Sequence, residues 1–261
     1  GQPDIYSGFY VFCGMLFYAA ELYADFTGGI DITIGIAQMF GIQLAENFER
    51  PYFSKNIAEY WRRWHITMGT WFKDYLFYPL SASMPVLSMS TFCRKHFGAA
   101  AGRRIPVYFV TLVVWFATGI WHGAALNFLL WGIYFGTLLL LEKFILKRWL
   151  EQLPAWIQHV YAYLLVLLGW VLFAFEDMNA GFVYLTQMAG GAGLRLWNDR
   201  TLFLLWGSLI LLLACTIGST PLPAAAAKKL CSDIQGKLKT AGLILEPLFL
   251  GLVCFLSVDY L

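Results

Sequence analysis

Residues 105–141 read IPVYFVTLVVWFATGIWHGAALNFLLWGIYFGTLLLL, without a single Asp, Glu, Lys or Arg. Trp121-His122-Gly123 interrupts this run and leaves an apolar arm on each side. Each arm is close to the roughly 20 residues that a helix needs to cross a bilayer. Ionisable residues inside such segments cost free energy and usually face a bundle interior or a water-filled path. His122 is therefore a functional candidate before anything else is considered.

The rest of the chain is of the same kind. It is 59% hydrophobic and 18% aromatic, with only 13% charged residues and a mean hydropathy of +0.63. A soluble domain carries about 25% charged residues. The expected fold is an all-α integral membrane protein: one transmembrane domain over residues 1–261, built as a multi-span helical bundle. Candidate spans are 8–24, 30–45, 105–121, 124–141, 155–175, 201–217 and 241–261, about seven in all, some short enough to require tilt or re-entry. No basic segment with a cleavage site precedes the apolar sequence, so no signal peptide is expected. Both ends look like cuts through a larger membrane domain, and the chain is expected to be a fragment.

The net charge of +2 gives no basis for a nucleic-acid partner, and no basic cluster sits in a nucleic-acid-binding pattern. Cys13, Cys93, Cys215, Cys231 and Cys254 form no CxxC pair and no zinc-site spacing, so no metal site is expected. They read as small apolar side chains with one or two loop thiols. Nucleophile-elbow, P-loop, HExxH and Rossmann glycine patterns are all absent.

Charge asymmetry orients the spans. Segment 44–104 carries Arg50, Lys55, Arg62, Arg63, Lys73, Arg94, Lys95, Arg103 and Arg104. Segment 142–151 carries Lys143, Lys147 and Arg148, and 218–240 carries Lys228, Lys229, Lys237 and Lys239. The positive-inside rule puts these three segments in the cytoplasm and the more acidic 176–200 outside. His122 then falls at a turn displaced toward the outer side.

Within 44–104, Asn56 followed by Glu59 resembles a capping box. Trp61, His65, Met68 and Phe72 fall on one face of a continuing helix, with Arg62, Arg63 and Lys73 mostly on the other. That pattern predicts an amphipathic helix lying in the membrane interface, with His65 on the cytoplasmic side. Pro79, Ser81, Ser83 and Pro85 predict a loop after it.

Chemistry would rest on histidine. A neutral His122 could take a proton from a hydroxyl or relay one, with Asn127 about one helical turn away. The alternative is a helix–helix hydrogen bond. His65 is either a second site residue or a packed, hydrogen-bonded ring. Glu21, Asp25 and Asp31 could form a proton relay, but Asp25 and Asp31 are better read as flanking a turn where Gly28-Gly29 breaks the first two spans. Glu246-Pro247 is similarly ambiguous.

Two separated motifs resemble a known family. Glu46-Asn47-Phe48-Glu49-Arg50-Pro51-Tyr52-Phe53-Ser54, Glu59-Tyr60-Trp61-Arg62-Arg63-Trp64-His65-Ile66-Thr67 and Thr70-Trp71-Phe72-Lys73-Asp74-Tyr75-Leu76 form the first. Thr118-Gly119-Ile120-Trp121-His122-Gly123, followed by Asn127-Phe128 and Trp131-Gly132, forms the second. Both resemble the signatures of the membrane-bound O-acyltransferases (MBOAT), most closely the bacterial alginate O-acetyltransferase-like branch. Pro79-Leu80-Ser81-Ala82-Ser83 stands where that family commonly has a Pro-Leu-Gly-Gly-type turn. The resemblance implies that His122 corresponds to the essential histidine and His65 to a second characteristic one. Trp61, Trp64, Trp121 and Asn127 would line a substrate tunnel, and Arg62, Arg63 and Lys73 would face the donor side. It further implies an acetyl group passed outward from acetyl-CoA or a cytoplasmic acyl carrier to an exported polysaccharide or cell-wall glycan. An extracytoplasmic acetyltransferase partner, surrounding membrane lipid and a bacterial inner membrane belong to the same expectation, with no bound cofactor. The alternatives are D-alanyl transfer to teichoic acid and, from another class, a transporter or channel lined by His122 and Asn127.

Overall fold

A computed structural model of the chain describes residues 8–191 and 199–218, with scattered positions between 220 and 229. The expected span 241–261, Cys231, Cys254 and Glu246-Pro247 lie outside the described residues. The chain divides into two compact units, Gly1–Trp206 and Gly207–Leu261. Helices account for the regular structure, and no strand occurs among the described residues. In order they are α1 (Gly8–Met39), α2 (Ile57–Arg63), α3 (Ile66–Phe72), α4 (Tyr78–Ser81), α5 (Met84–Phe97), α6 (Ala99–His122), α7 (Leu126–Leu141), α8 (Lys147–Leu150), α9 (Ala155–Ala174), α10 (Met178–Met188) and α11 (Asp199–Gly218). Among the described residues, Ala99–His122, Leu126–Leu150, Ala155–Ala174 and Thr201–Gly218 are long and apolar enough to cross a membrane.

The first two expected spans are one helix. Residues 8–39 run unbroken through Gly28-Gly29, so the predicted turn there does not exist. A helix-interior glycine costs about 1 kcal/mol relative to alanine, too little to stop a helix that is otherwise continuous. The actual stop is Gly41, in the left-handed region at φ 74°, beside which Phe40 and Ile42 both donate to the Ala37 carbonyl at 3.0 Å. Glu21, Asp25 and Asp31 lie exposed along α1 rather than around a turn.

The expected interfacial helix is also corrected. It is broken at Trp64-His65, where His65 adopts φ 45° and ψ 54°, so that α2 and α3 are separate helices. Nor does α2 lie on a surface. Ile57, Tyr60 and Trp64 are buried, and Tyr60, Trp61 and Trp64 pack against Trp131 and Phe135 of α7 and Trp170 of α9. Three aromatic rings within five residues cover more than one face, which only the bundle interior can bury. The predicted loop at 79–85 shrinks to Ala82-Ser83: helix continues through Pro79 to Ser81, and Pro85 sits in the first turn of α5, where a missing N–H costs nothing.

Small residues set the helix spacing. A Cβ on Gly119 of α6 would come within 2.5 Å of the Phe128 carbonyl, and one on Gly132 of α7 would overlap the Trp115 carbonyl. This close seam is the kind of contact that lets helices associate where water offers no drive. Tyrosine hydroxyls tie the remaining helices together: Tyr52 donates to the Ala19 carbonyl (2.7 Å), Tyr134 to Leu165 (2.8 Å) and Tyr184 to Val11 (2.6 Å). Cys13 and Cys93 are free and buried, in keeping with apolar roles.

Gly132→Val is expected to abolish most folded protein, since the Trp115 backbone cannot give way. Gly29→Ala, with nothing within 4 Å of the new methyl, should instead stabilise by about 0.4–1 kcal/mol. Size-exclusion yield and melting temperature in detergent check the pair.

Candidate active site

The site begins where α6 ends. Gly123 closes the helix, and three residues later α7 starts back, so His122 lies at the turn that its sequence position predicted. Its ring sits among aromatic neighbours: Trp131 at 4.9 Å between centroids, Phe173 at 5.2 Å and Phe128 at 6.3 Å. Gly123 makes the last contact possible, because a Cβ there would stand 2.7 Å from the Phe128 ring. Asn127 is fully buried, and its amide nitrogen donates to the Phe173 carbonyl at 2.9 Å. Its carbonyl oxygen has no hydrogen-bond partner among the described residues.

His65 reaches the same place from α2. Its ring lies 6.1 Å from that of Trp121, which in turn lies 4.8 Å from that of His122. The two histidines thus share one indole, and the expectation that they sit on opposite sides of the membrane is overturned. The cause is the entry of α2 into the bundle instead of along its surface. Phe26 and Phe48 pack on the other sides of His65, at 4.8 and 6.3 Å. Burial pushes the His65 imidazole below its ordinary value, which favours the neutral ring. Asn47 holds it, with its side-chain oxygen 3.3 Å from Nδ1.

The other end of α2 is anchored by a residue that sequence reasoning missed. Glu142 is buried at the start of a π-helical turn, Glu142–Leu146, that continues α7. Its two carboxyl oxygens accept the Ile57 and Ala58 N–H groups at 2.8 and 3.1 Å. Asn56 takes the Glu59 N–H at 2.7 Å, as the capping-box reading expected, although the Glu59 carboxylate accepts from Lys55 N rather than from Asn56 N. A signal for Glu142 was present in the sequence: it is the first charged residue after the uncharged run 105–141.

Two cavities flank α2. One, of about 490 Å³, is lined by Asn56, Arg62, Glu142, Lys143 and Lys147 among others. The second, of about 530 Å³, is lined by Trp61, Lys73, Trp115 and Thr118 among others. They share Ala58, Arg62 and Leu139 as wall residues. Their walls extend from Lys143 and Lys147, past the end of α7, to Thr118 on α6, and His65, Trp121 and His122 are not among the lining residues. Of the candidates named from sequence, Trp61, Arg62 and Lys73 line these cavities. Arg63 does not; it pairs with Glu59 at 2.7 Å. Trp64 is core, stacked on Tyr60 at 5.7 Å, and Trp121 is 58% exposed between the histidines. Lys143 and Lys147 are the cationic wall residues that sequence reasoning had not assigned to the site.

Glu142→Ala would leave the buried Ile57 N–H without an acceptor, at about 1–3 kcal/mol, and would also release the half-buried Ala58 N–H. We expect it to cut folded yield sharply, and Glu142→Gln, which keeps one acceptor, to be milder. Melting curves of the purified variants distinguish the two.

Comparison with known proteins supplies the frame for this geometry. Residues 4–162 match the family model of the membrane-bound O-acyltransferase family, MBOAT. The chain is 35% identical to a probable alginate O-acetylase of Azotobacter vinelandii over 65% of its length, covering 30% of that protein. It is 30% identical to a peptidoglycan O-acetyltransferase of Helicobacter pylori over 69% of its length, covering 32% of the relative. A teichoic acid D-alanyltransferase of Bacillus subtilis is 30% identical over 51% of the chain, 31% of its own length. The chain therefore spans about a third of the relatives it matches. With its motifs, its apolar helices and this match over more than half its length, the chain belongs to the membrane-bound O-acyltransferase family.

Proposed function

We propose that this chain carries the reaction centre of a membrane O-acyltransferase, one that moves an acetyl group from a cytoplasmic donor to an exported polysaccharide or cell-wall glycan. The observation that carries this reading is the meeting of His65 and His122 around Trp121, in a bundle whose two cavities beside α2 carry Arg62, Lys73, Lys143 and Lys147 on their walls. His122 takes the proton of the attacking hydroxyl, as general base or relay. The hydroxyl oxygen bonds to the acyl carbon of a thioester donor, the carbon–sulfur bond breaks, and the thiol leaves with the proton. The aromatic walls exclude water, which would otherwise hydrolyse the donor. Arg62, Lys73, Lys143 and Lys147 offer positive charge to an anionic donor, acetyl-CoA or an acyl carrier, arriving from the cytoplasm.

The names of the relatives support acyl transfer to an envelope polymer, and the two O-acetyl relatives favour acetyl over alanyl. D-alanyl transfer to teichoic acid is the second reading, on the strength of the Bacillus subtilis relative. A bacterial inner membrane, several crossings of it and an extracytoplasmic acetyltransferase partner complete the proposal.

In cells, His122→Ala is expected to lower acylation of the surface polymer by about 10²–10⁴-fold, the usual worth of a positioned acid–base group, at unchanged protein abundance. Full acylation in that variant would overturn the reading. Mass spectrometry of the polymer separates an acetyl from an alanyl product. Arg62→Ala should raise the donor KM more than it lowers kcat, as befits uniform binding.

A further inference from the structure

The described structure contains a small polar lock beside the site that none of the chemistry above uses. Asn47 is buried, and its side-chain oxygen meets three groups: Thr67 N–H at 3.2 Å, Thr67 Oγ1 at 2.5 Å and His65 Nδ1 at 3.3 Å. A main-chain N–H can only donate. The Asn47 atom that faces it is therefore the carbonyl oxygen, and the reversed amide would set two donors against each other. Because that same oxygen faces His65, the favourable partner at Nδ1 is a protonated nitrogen. Asn47 is itself fastened to the break it serves. Its main-chain carbonyl accepts Ile66 N–H at 3.0 Å, and two residues on Glu49 N–H donates to the Arg63 carbonyl at 2.9 Å.

We propose that Asn47 is a positioning residue that fixes His65 as its Nδ1–H tautomer, leaving Nε2 as the basic nitrogen of a ring that lies 6.1 Å from Trp121. Which nitrogen of a histidine carries the proton is set by the bond the other makes, and that choice decides which atom can accept one. The left-handed backbone at His65 fits this role. It is flanked by the two main-chain bonds to 47–49, which tie the break at His65 to the loop that carries Asn47. The groups around the ring are Phe26 from α1, Phe48 and Asn47 from the loop, and Trp121 from α6, with His122 the titratable neighbour. Burial by these rings keeps His65 neutral, the state in which a tautomer has meaning.

The inference rests on the acyl-transfer reading only for its catalytic consequence, and one measurement is free of that reading. The protein labelled with ¹⁵N at its four histidines, in lipid nanodiscs, is compared with His65→Gln to assign the His65 signals. A pyrrole-type Nδ1 and a pyridine-type Nε2 are expected, and the opposite pattern overturns the proposal. Asn47→Ala should mix the tautomers and lower kcat by ~10–100-fold with little change in KM, the usual effect of losing a histidine's orienting partner. Asn47→Asp keeps an acceptor in place. It should restore the Nδ1–H tautomer and most of kcat, while its charge stabilises the imidazolium and moves the acid limb of the pH profile upward. If Asn47→Ala changes neither tautomer nor kcat, Asn47 only supports the fold and the proposal fails. If the tautomer is as assigned but His65→Gln retains full activity, the role of His65 in transfer falls while the lock stands.

Discussion

A helix that starts inside an apolar bundle presents N–H groups that neither lipid nor hydrocarbon side chains can accept. The arrangement of this protein turns on how that demand is met for α2. Glu142, reaching across from α7, takes two of the donors, and Asn56 takes a third. With its start satisfied, α2 can be buried, and its rings can fill the space between α7 and α9. Its other end then delivers His65 to Trp121. Had the first turn remained solvated, the same sequence would lie in the interface, as its charges suggest.

The surroundings of the two histidines follow from the same economy of polar groups. The rings in contact with His122 are aromatic, and Asn127, the polar side chain at the start of α7, is tied to the carbonyl of one of those residues, Phe173. Such a pocket leaves little to solvate a charge, so the few polar atoms present acquire large influence. The close seam at Gly119 and Gly132 holds the walls in register, which makes the site a product of backbone spacing as much as of its named side chains.

What could be read from the sequence was local or compositional. The membrane class followed from hydropathy, the turn at His122 from the polar interruption of an apolar run, and the Asn56 cap from residues three apart. Readings that depended on partners distant in sequence failed. Helix periodicity carried α2 straight on through Trp64-His65, because the bonds that break it come from Asn47 and Glu49. Amphipathicity laid that helix on a surface, because the acceptor that allows its burial lies 85 residues away. Gly28-Gly29 looked like a turn since glycine weakens a helix everywhere, yet breaks one only where a left-handed residue such as Gly41 is built in.

The packing of Trp61, Trp115 and Trp131 has a consequence of another kind. Their rings lie 4.7–6.2 Å apart, close enough for excited indoles to share energy rather than emit independently. Two of the three, Trp61 and Trp115, also line the larger cavity beside α2, of about 530 Å³. Coupled indoles contribute to near-ultraviolet dichroism, so part of that signal arises from a cluster that borders one of the cavities. A ligand entering that cavity would touch two of the three coupled rings, and so would alter a signal that needs no added label.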